Sequence, residues 1–123
     1  MSRRSLVSVI DDDESVRESL PDLLREFGFA VRAFSSAEDF LASDCPGQVQ
    51  CLILDIVMPG MSGPQLHLEL IRRKQVAPII YITAHADEAL RPRLQRRDAV
   101  ACLIKPFSEA ALLAALNLAL CAS

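Results

Sequence analysis

The chain has 123 residues, of which 51% are hydrophobic and 24% charged, with a formal net charge of −3 and a pI of about 5.3. This length fits one domain, residues 1–123, and leaves no room for a separate effector domain. The composition excludes a disordered chain, and the acidic balance argues against direct nucleic-acid binding, which usually requires a basic patch.

Five short apolar runs alternate with five segments of helical periodicity, and each pair predicts a strand followed by a helix. The alternation indicates a parallel sheet with helices on both faces. The runs are continuously apolar, which fits strands buried on both sides. In chain order the predicted strand and helix pairs are 6–10 and 14–27, 29–34 and 35–41, 49–54 and 62–74, 78–82 and 88–97, and 100–104 and 108–121.

Capping residues mark the start of three predicted helices. Ser35 with Glu38, and Ser62 with Gln65, have the three-residue spacing of a capping box. Ser108 can cap the last helix through its hydroxyl group. These positions predict where the second, third and fifth helices begin.

Polar residues stand at the carboxyl ends of four predicted strands. Asp11 and Asp12 follow the first strand, Asp55 the third, Thr83 the fourth and Lys105 the fifth. These ends meet at one edge of a parallel sheet, which is where open α/β sheets bind ligands. We therefore expect the five side chains to share one site.

The chemistry of that set favours phosphoryl transfer. Clustered carboxylates repel one another, and a hard cation such as Mg²⁺, which prefers oxygen ligands, relieves the repulsion. A cation, an amine and a hydroxyl can neutralise phosphoryl oxygens while a carboxylate attacks the phosphorus.

Each of these residues alone has an ordinary structural explanation. Asp55 could serve a turn, Thr83 could pack at a strand end, and Lys105 could be a surface lysine. Their joint placement at four strand ends favours the functional interpretation. For Asp13 we favour helix capping, and His85 and His67 are interpreted as a loop residue and a helix residue without a role.

Four segments resemble the motifs of response-regulator receiver domains of two-component systems, and the resemblance spans the chain. A fifth segment, Ser-Ala-Glu-Asp-Phe-Leu at 36–41, is similar to the receivers of nitrogen-fixation and nodulation regulators. The four segments are Val-Ser-Val-Ile-Asp-Asp-Asp at 7–13, Leu-Asp-Ile-Val-Met-Pro-Gly-Met-Ser-Gly at 54–63, Ile-Thr-Ala at 82–84 and Lys-Pro-Phe at 105–107.

The resemblance implies a flavodoxin-like, doubly wound five-stranded parallel sheet of order 2-1-3-4-5 with five helices. It implies a signalling domain, not a classical enzyme, that is phosphorylated by a sensor histidine kinase or phosphotransfer protein. It also implies a cis Lys105–Pro106 bond. The implied roles are phosphate acceptor for Asp55, Mg²⁺ ligands for Asp11, Asp12, Asp55 and the Val57 carbonyl, switch hydroxyl for Thr83 and phosphate clamp for Lys105.

Three residues depart from the family pattern on the face that usually reports phosphorylation. Cys102 stands where the family has an aromatic residue that turns inward, and Asp98 stands where a glycine commonly ends the fourth helix. Pro92 falls inside the fourth predicted helix and predicts a short one. We therefore predict an atypical output surface.

The fifth predicted helix is apolar nearly all round, with Asn117 as its one polar residue after Glu109. Such a helix should be covered on more than one side, although alanine-rich faces are only weakly hydrophobic. One interpretation is a homodimer through the face formed by helix four, strand five and helix five. Leu112, Leu116 or Leu120 would then make the contact.

Three other functions compete with this interpretation. A phosphatase of the haloacid-dehalogenase type needs a second aspartate where Val57 stands, and the chain has no room for a cap domain. A flavodoxin-like nucleotide-binding module would place its phosphate beside three repelling aspartates. A degenerate receiver used as a binding scaffold would lack motif acids that this chain has.

The sequence predicts a cytoplasmic protein without a membrane segment. No signal peptide opens the chain, and no apolar run is long enough to span a bilayer. The four cysteines lack Cys-x-x-Cys spacing, so a zinc site is not expected. The basic cluster at 91–97 is interpreted as a solvated helix face. The chain is either a stand-alone receiver or part of a longer regulator.

Overall fold

The structure is a computed structural model that describes residues 5–84 and 99–121. Nine elements follow one another in these two ranges. They are β1 (Leu6–Ile10), α1 (Glu14–Glu26), β2 (Ala30–Phe34), α2 (Ala37–Ala42), β3 (Cys51–Asp55), α3 (Gly63–Arg72), β4 (Ile79–Thr83), β5 (Ala99–Ile104) and α4 (Glu109–Cys121).

All five strands pair in parallel in one sheet of order β2-β1-β3-β4-β5. The predicted strand order is confirmed. Four helices lie in the described ranges, and α4 corresponds to the fifth predicted helix. The fourth predicted helix at 88–97, with Pro92, Asp98 and the basic cluster, lies outside the described residues.

Two apolar clusters lie on opposite faces of the sheet. Successive residues of β3 alternate between them, with Leu52 and Leu54 in the first and Cys51 and Ile53 in the second. The first cluster packs against α2 and α3, and the second against α1 and α4. Every residue of the central strands β3 and β4 is therefore buried, which explains their continuous apolar pattern.

The helix starts agree with the capping signals at two of three positions. Ser62 and Gln65 form the predicted capping box of α3, and Ser108 Oγ accepts from the backbone amide of Ala111 at 3.0 Å. At α2 the prediction was wrong by one residue. Ser36, not Ser35, caps this helix and accepts from the Asp39 amide at 3.1 Å, which leaves the Glu38 side chain free of any capping-box role.

The predicted contact residues of the last helix were also wrong. Leu112 and Leu116 are fully buried against the sheet, and Leu120 packs against the same cluster. The exposed leucines of α4 are Leu113 and Leu118. Because nearly every position of this helix is apolar, periodicity alone could not identify its inward side.

No helix in the described ranges combines the length and the apolar character needed to cross a membrane.

Candidate functional site

The carboxyl ends of β1, β3, β4 and β5 carry the polar residues of the site. Asp11 directly follows β1 and Lys105 directly follows β5, while Asp55 and Thr83 are the last residues of β3 and β4. The Lys105 amide donates to the Thr83 carbonyl at 2.7 Å, which ties the ends of β4 and β5 together. The parallel register thus brings residues 94 positions apart to one edge of the sheet.

Three carboxylates meet at this edge. Asp11, Asp12 and Asp55 each offer a ligand oxygen, and these oxygens all lie within 4.8 Å of one another. Opposite ligands of an octahedral Mg²⁺ ion stand about 4.2 Å apart, so small side-chain movements would complete such a site. Asp12 is exposed while the other two are buried, so one side of the cluster is open to water. The oxygen donors and their spacing fit Mg²⁺.

Lys105 brings a positive charge to the cluster. Its Nζ atom lies 2.7 Å from Asp11 Oδ2 and 3.7 Å from Asp55 Oδ2, and its side chain is 17% exposed. Burial by itself would lower the pKa of this amine, but Asp11, then Asp55 and Asp13, hold the pKa above its ordinary value. The Lys105 amine is therefore held in its protonated, cationic form. Its peptide bond to Pro106 is cis, as the resemblance implied.

The surroundings of the Asp55 carboxyl group disfavour its ionised form. Burial raises the pKa of its carboxyl group from 3.8 to about 7, with further contributions from the adjacent Asp11 carboxyl. Lys105 and the Val57 amide, which donates to Asp55 Oδ1 at 3.3 Å, oppose that shift only in part. The single amine of Lys105 cannot neutralise both Asp11 and Asp55, so a bound cation would stabilise their ionised forms.

The turn after β1 is held by hydrogen bonds on both sides of its acidic residues. Asp11 Oδ1 accepts from the Asp13 amide at 2.9 Å, and Asp13 Oδ1 accepts from the Ser15 amide at 2.9 Å as the N-cap of α1. The Ser15 contacts lower the pKa of Asp13. The capping interpretation of Asp13 is confirmed.

Sequence reasoning missed Arg17 as part of this turn. Arg17 Nη1 donates to the Asp11 carbonyl at 3.0 Å and so reaches back from α1 to the start of the acidic turn. The spacing of six residues matches no capping pattern, so the contact had no signal in the sequence.

The loop after Asp55 is closed at its base. The Gly63 amide donates to the Ile56 carbonyl at 3.0 Å, and a Cβ at Gly63 would lie 2.5 Å from the Asp55 carbonyl oxygen. Only glycine allows α3 to begin so close to the end of β3. Val57 stands in this loop with its side chain 61% exposed.

Three buried residues without an assigned site role lie on β5, β4 and α3. Cys102 is buried on β5, in register with Tyr81 of β4. The Tyr81 hydroxyl is 3.3 Å from Nδ1 of His67, which is buried on α3 and not simply displayed on a helix surface. His85 lies outside the described residues.

A groove of about 540 Å³ runs alongside the acidic site. It lies between α1 and the segment that begins with Lys105, and its wall is mostly apolar. It is lined by Asp13, Ser15, Val16, Ser19, Leu20, Leu23, Ala84, Lys105, Pro106 and Phe107.

Comparison with known proteins identifies one family over most of the chain. The response regulator receiver domain family matches residues 7–117. Nodulation protein W of Bradyrhizobium diazoefficiens is 42% identical over 112 residues, which cover 91% of this chain and 49% of that protein. The transcriptional regulatory protein FixJ of Azorhizobium caulinodans is 41% identical over 114 residues, or 93% of this chain and 54% of FixJ.

Two solved structures that resemble this chain also come from response regulators. The response regulator StyR superposes with a TM-score of 0.88 at 44% identity, covering 98% of this chain and 61% of that chain. FixJ-N superposes with a TM-score of 0.83 at 36% identity, covering 96% of this chain and 94% of that chain. The chain spans about half the length of the curated relatives it matches.

Proposed function

The chain belongs to the response regulator receiver domain family of two-component signalling, and from this membership we propose that it accepts a phosphoryl group on Asp55 and thereby controls an effector or partner protein. The domain is a signalling module and not a classical enzyme. Its phosphate donor is a sensor histidine kinase or a phosphotransfer protein. The observation that carries the proposal is the Lys105 amine, 2.7 Å from Asp11 and 3.7 Å from Asp55 beside the three acids.

The acidic cluster is the proposed Mg²⁺ site. Asp12, Asp55 and the Val57 carbonyl, with Asp11 beside them, would hold the ion. When bound, Mg²⁺ supplies positive charge that neutralises the cluster and the phosphoryl oxygens. The excess of acidic over basic groups at this edge supports the assignment.

Asp55 acts as the nucleophile in the proposed reaction. Its carboxylate oxygen attacks the phosphorus of a phosphohistidine, the new O–P bond forms, and the N–P bond breaks with its electron pair leaving on the histidine nitrogen. Water later attacks the same phosphorus, which releases inorganic phosphate and restores the carboxylate. Lys105 neutralises phosphoryl oxygens during both steps, and the buried Thr83 hydroxyl donates a hydrogen bond to the attached group.

Contacts to the attached phosphate are the proposed source of the conformational switch. Thr83 and Lys105 are joined through the backbone at 2.7 Å, so a pull on both side chains acts on the ends of β4 and β5 together. Cys102 is too small to serve as a rotating aromatic residue. We propose that this chain uses the threonine part of the family switch without the aromatic part, which gives an atypical output surface.

The kinase would dock over the groove beside Lys105. This groove adjoins the acidic site and offers apolar side chains of α1, including Val16, Leu20 and Leu23. A partner that delivers phosphate to Asp55 must approach this edge, and an apolar wall gives it area to bury.

A homodimer is a further part of the proposal. Leu118 of α4, the more exposed of its two outward-facing leucines, offers an apolar position for that contact. Direct binding to nucleic acid is not proposed for this chain, although relatives such as FixJ are named transcriptional regulators. A reducing cytoplasm is the proposed location, which agrees with the free buried thiols of Cys45 and Cys51.

The degenerate scaffold is not supported, since the acidic, hydroxyl and amine residues of the motifs are all present. Acetyl phosphate with Mg²⁺ tests the proposal directly. We expect the protein to gain the mass of one phosphoryl group, and Asp55→Asn to gain none. If the wild-type protein gains no mass at any Mg²⁺ concentration, the proposal fails and a binding scaffold becomes the better explanation of its function.

A further inference from the structure

A hydrogen bond joins α2 to the loop that follows Asp55. Glu38 Oε2 accepts from the Met61 backbone amide at 3.2 Å, although the two residues are 23 positions apart. The approach is close, because a Cβ at Gly60 would lie 2.7 Å from the same oxygen. Gly60 has a φ of +77°, a conformation that glycine adopts readily. The carboxylate of Glu38 therefore lies directly against the loop backbone.

This contact reaches the loop from α2, whereas its other backbone amides that donate hydrogen bonds bind β4, α3 or the loop itself. At the base, the Ile56 amide donates to the Ile82 carbonyl at 3.0 Å and the Gly63 amide donates to the Ile56 carbonyl at 3.0 Å. Both bonds involve the two ends of the loop. Glu38 instead binds the Met61 amide, and it does so from α2, an element outside the loop.

The helix that carries Glu38, α2, is anchored in the core. Ala37 and Phe40 of α2 are fully buried in the core, and the Phe40 ring packs edge-on against Phe34 with centroids 5.5 Å apart. The Phe34 carbonyl in turn accepts from the Asp11 amide at 3.1 Å. One continuous set of contacts thus links the acidic turn after β1, through α2, to the loop after β3.

We propose that Glu38 is a positioning residue that holds the loop between Asp55 and α3 in the conformation required for Mg²⁺ binding and phosphoryl transfer. The inference rests on the function proposed above, because the Val57 carbonyl, a proposed metal ligand, lies in the same loop. Glu38 does not touch the reacting atoms and acts through the backbone that it binds. With the bond lost, the loop samples more conformations and presents the carbonyl less often.

Four variants on α2 separate the bond from its surroundings. Glu38→Ala removes the acceptor, and Glu38→Gln keeps an acceptor oxygen at the same length. Asp39→Ala and Asp39→Asn are matched controls, because Asp39 is the next acid on the helix and its carboxylate contacts Ser35 instead of the loop. Each pair removes one negative charge, once by truncation to alanine and once by replacement with the neutral amide.

The first measurement is amide hydrogen exchange of the whole chain without Mg²⁺ or phosphate donor. In Glu38→Ala, protection of the Met61 amide and its loop neighbours should fall about fivefold, the equivalent of one ordinary hydrogen bond. Amides of β3 and β4 serve as an internal reference, since a general loss of stability would lower their protection as well. Glu38→Gln and both Asp39 variants should stay within about twofold of wild type.

The second measurement is the Mg²⁺ concentration that gives half-maximal phosphorylation by acetyl phosphate. It should rise about threefold to tenfold in Glu38→Ala and return close to the wild-type value in Glu38→Gln. An unchanged loop exchange in Glu38→Ala overturns the inference, and so does an equal effect in Asp39→Ala or an unrescued Glu38→Gln.

The two measurements also distinguish this inference from the proposed function. If wild-type protein accepts no phosphate, the proposed function fails while hydrogen exchange still decides whether Glu38 holds the loop. If wild-type protein is phosphorylated and Glu38→Ala keeps the wild-type Mg²⁺ dependence, only the positioning role fails.

Discussion

Lys105 Nζ lies 2.7 Å from Asp11 Oδ2, and the Asp11 side chain is completely shielded from solvent. The amine thus sits closer to this acid than to Asp55, the proposed phosphate acceptor, at 3.7 Å. In this structure Lys105 therefore pairs mainly with the buried Asp11 carboxyl group. A phosphoryl group on Asp55 would compete with Asp11 for the same amine, because both offer anionic oxygens.

Removal of the Lys105 charge should destabilise the metal-free protein. In Lys105→Met the buried Asp11 carboxylate loses its ion-pair partner, and we expect the free energy of unfolding at pH 7 to fall by about 1–3 kcal/mol. Chemical denaturation in EDTA measures the change, and added Mg²⁺ should recover part of it. Lys74→Met is the control, since Lys74 is an exposed lysine outside the site. Equal losses in the two variants would contradict the ion-pair explanation.

The stability of the metal-free protein should depend on Asp55 between about pH 4 and pH 7. The unfolded chain releases this proton near pH 3.8, whereas the folded protein keeps it until about pH 7. In this range the folded state binds more protons, so the free energy of unfolding contributed by Asp55 falls as the pH rises. Asp55→Asn removes that loss and should be more stable than wild type at neutral pH, by about 1 kcal/mol or more.

Denaturation series in EDTA from pH 4 to pH 8 test this dependence. The difference between Asp55→Asn and wild type should grow with pH and shrink when Mg²⁺ is added, because the cation favours the ionised acid. Asp22→Asn, a substitution of an exposed acid on α1, serves as control. A pH-independent difference would mean that the Asp55 carboxyl group titrates normally.

A bulky side chain in the groove should block the kinase and spare small donors. Ser19 lines the groove on α1, so Ser19→Trp should slow phosphotransfer from a partner kinase about tenfold or more. Phosphorylation by acetyl phosphate should stay within about twofold of wild type, since the acids themselves are unchanged.

Glu18→Trp provides the matched comparison, because Glu18 is exposed on the same helix and does not line the groove. The kinase used is one that transfers phosphate to the wild-type chain. Equal slowing with both donors would assign the effect to damage at the acidic site, and unchanged transfer in Ser19→Trp would remove the groove from the docking surface.

The proposed dimer should depend on Leu118 of α4. Leu118 is 59% exposed, so Leu118→Glu should abolish association in the presence of a phosphate mimic without loss of folding. Sedimentation over a range of protein concentrations measures the change. Leu68→Glu, at a similarly exposed leucine on α3 beyond the opposite face of the sheet, should leave association intact. A wild-type protein that stays monomeric at all concentrations rules out the dimer.

Much of the fold and of the candidate site could be predicted from sequence, because strands and helix caps leave local sequence patterns. Apolar runs identified every strand, and their polar ends identified Asp11, Asp55, Thr83 and Lys105, since a parallel sheet brings such ends to one edge. The capping box at Ser62 needed only the three-residue spacing to Gln65.

The tertiary structure decided what local patterns leave open. A helix that is apolar all round does not specify its inward side, and only packing against the sheet buried Leu116 and left Leu118 exposed. Two adjacent serines offered two caps, and the path of the chain from β2 selected Ser36. The contacts of Arg17 with Asp11 and of Glu38 with Met61 follow no short spacing, because they depend on where neighbouring elements come to lie in space.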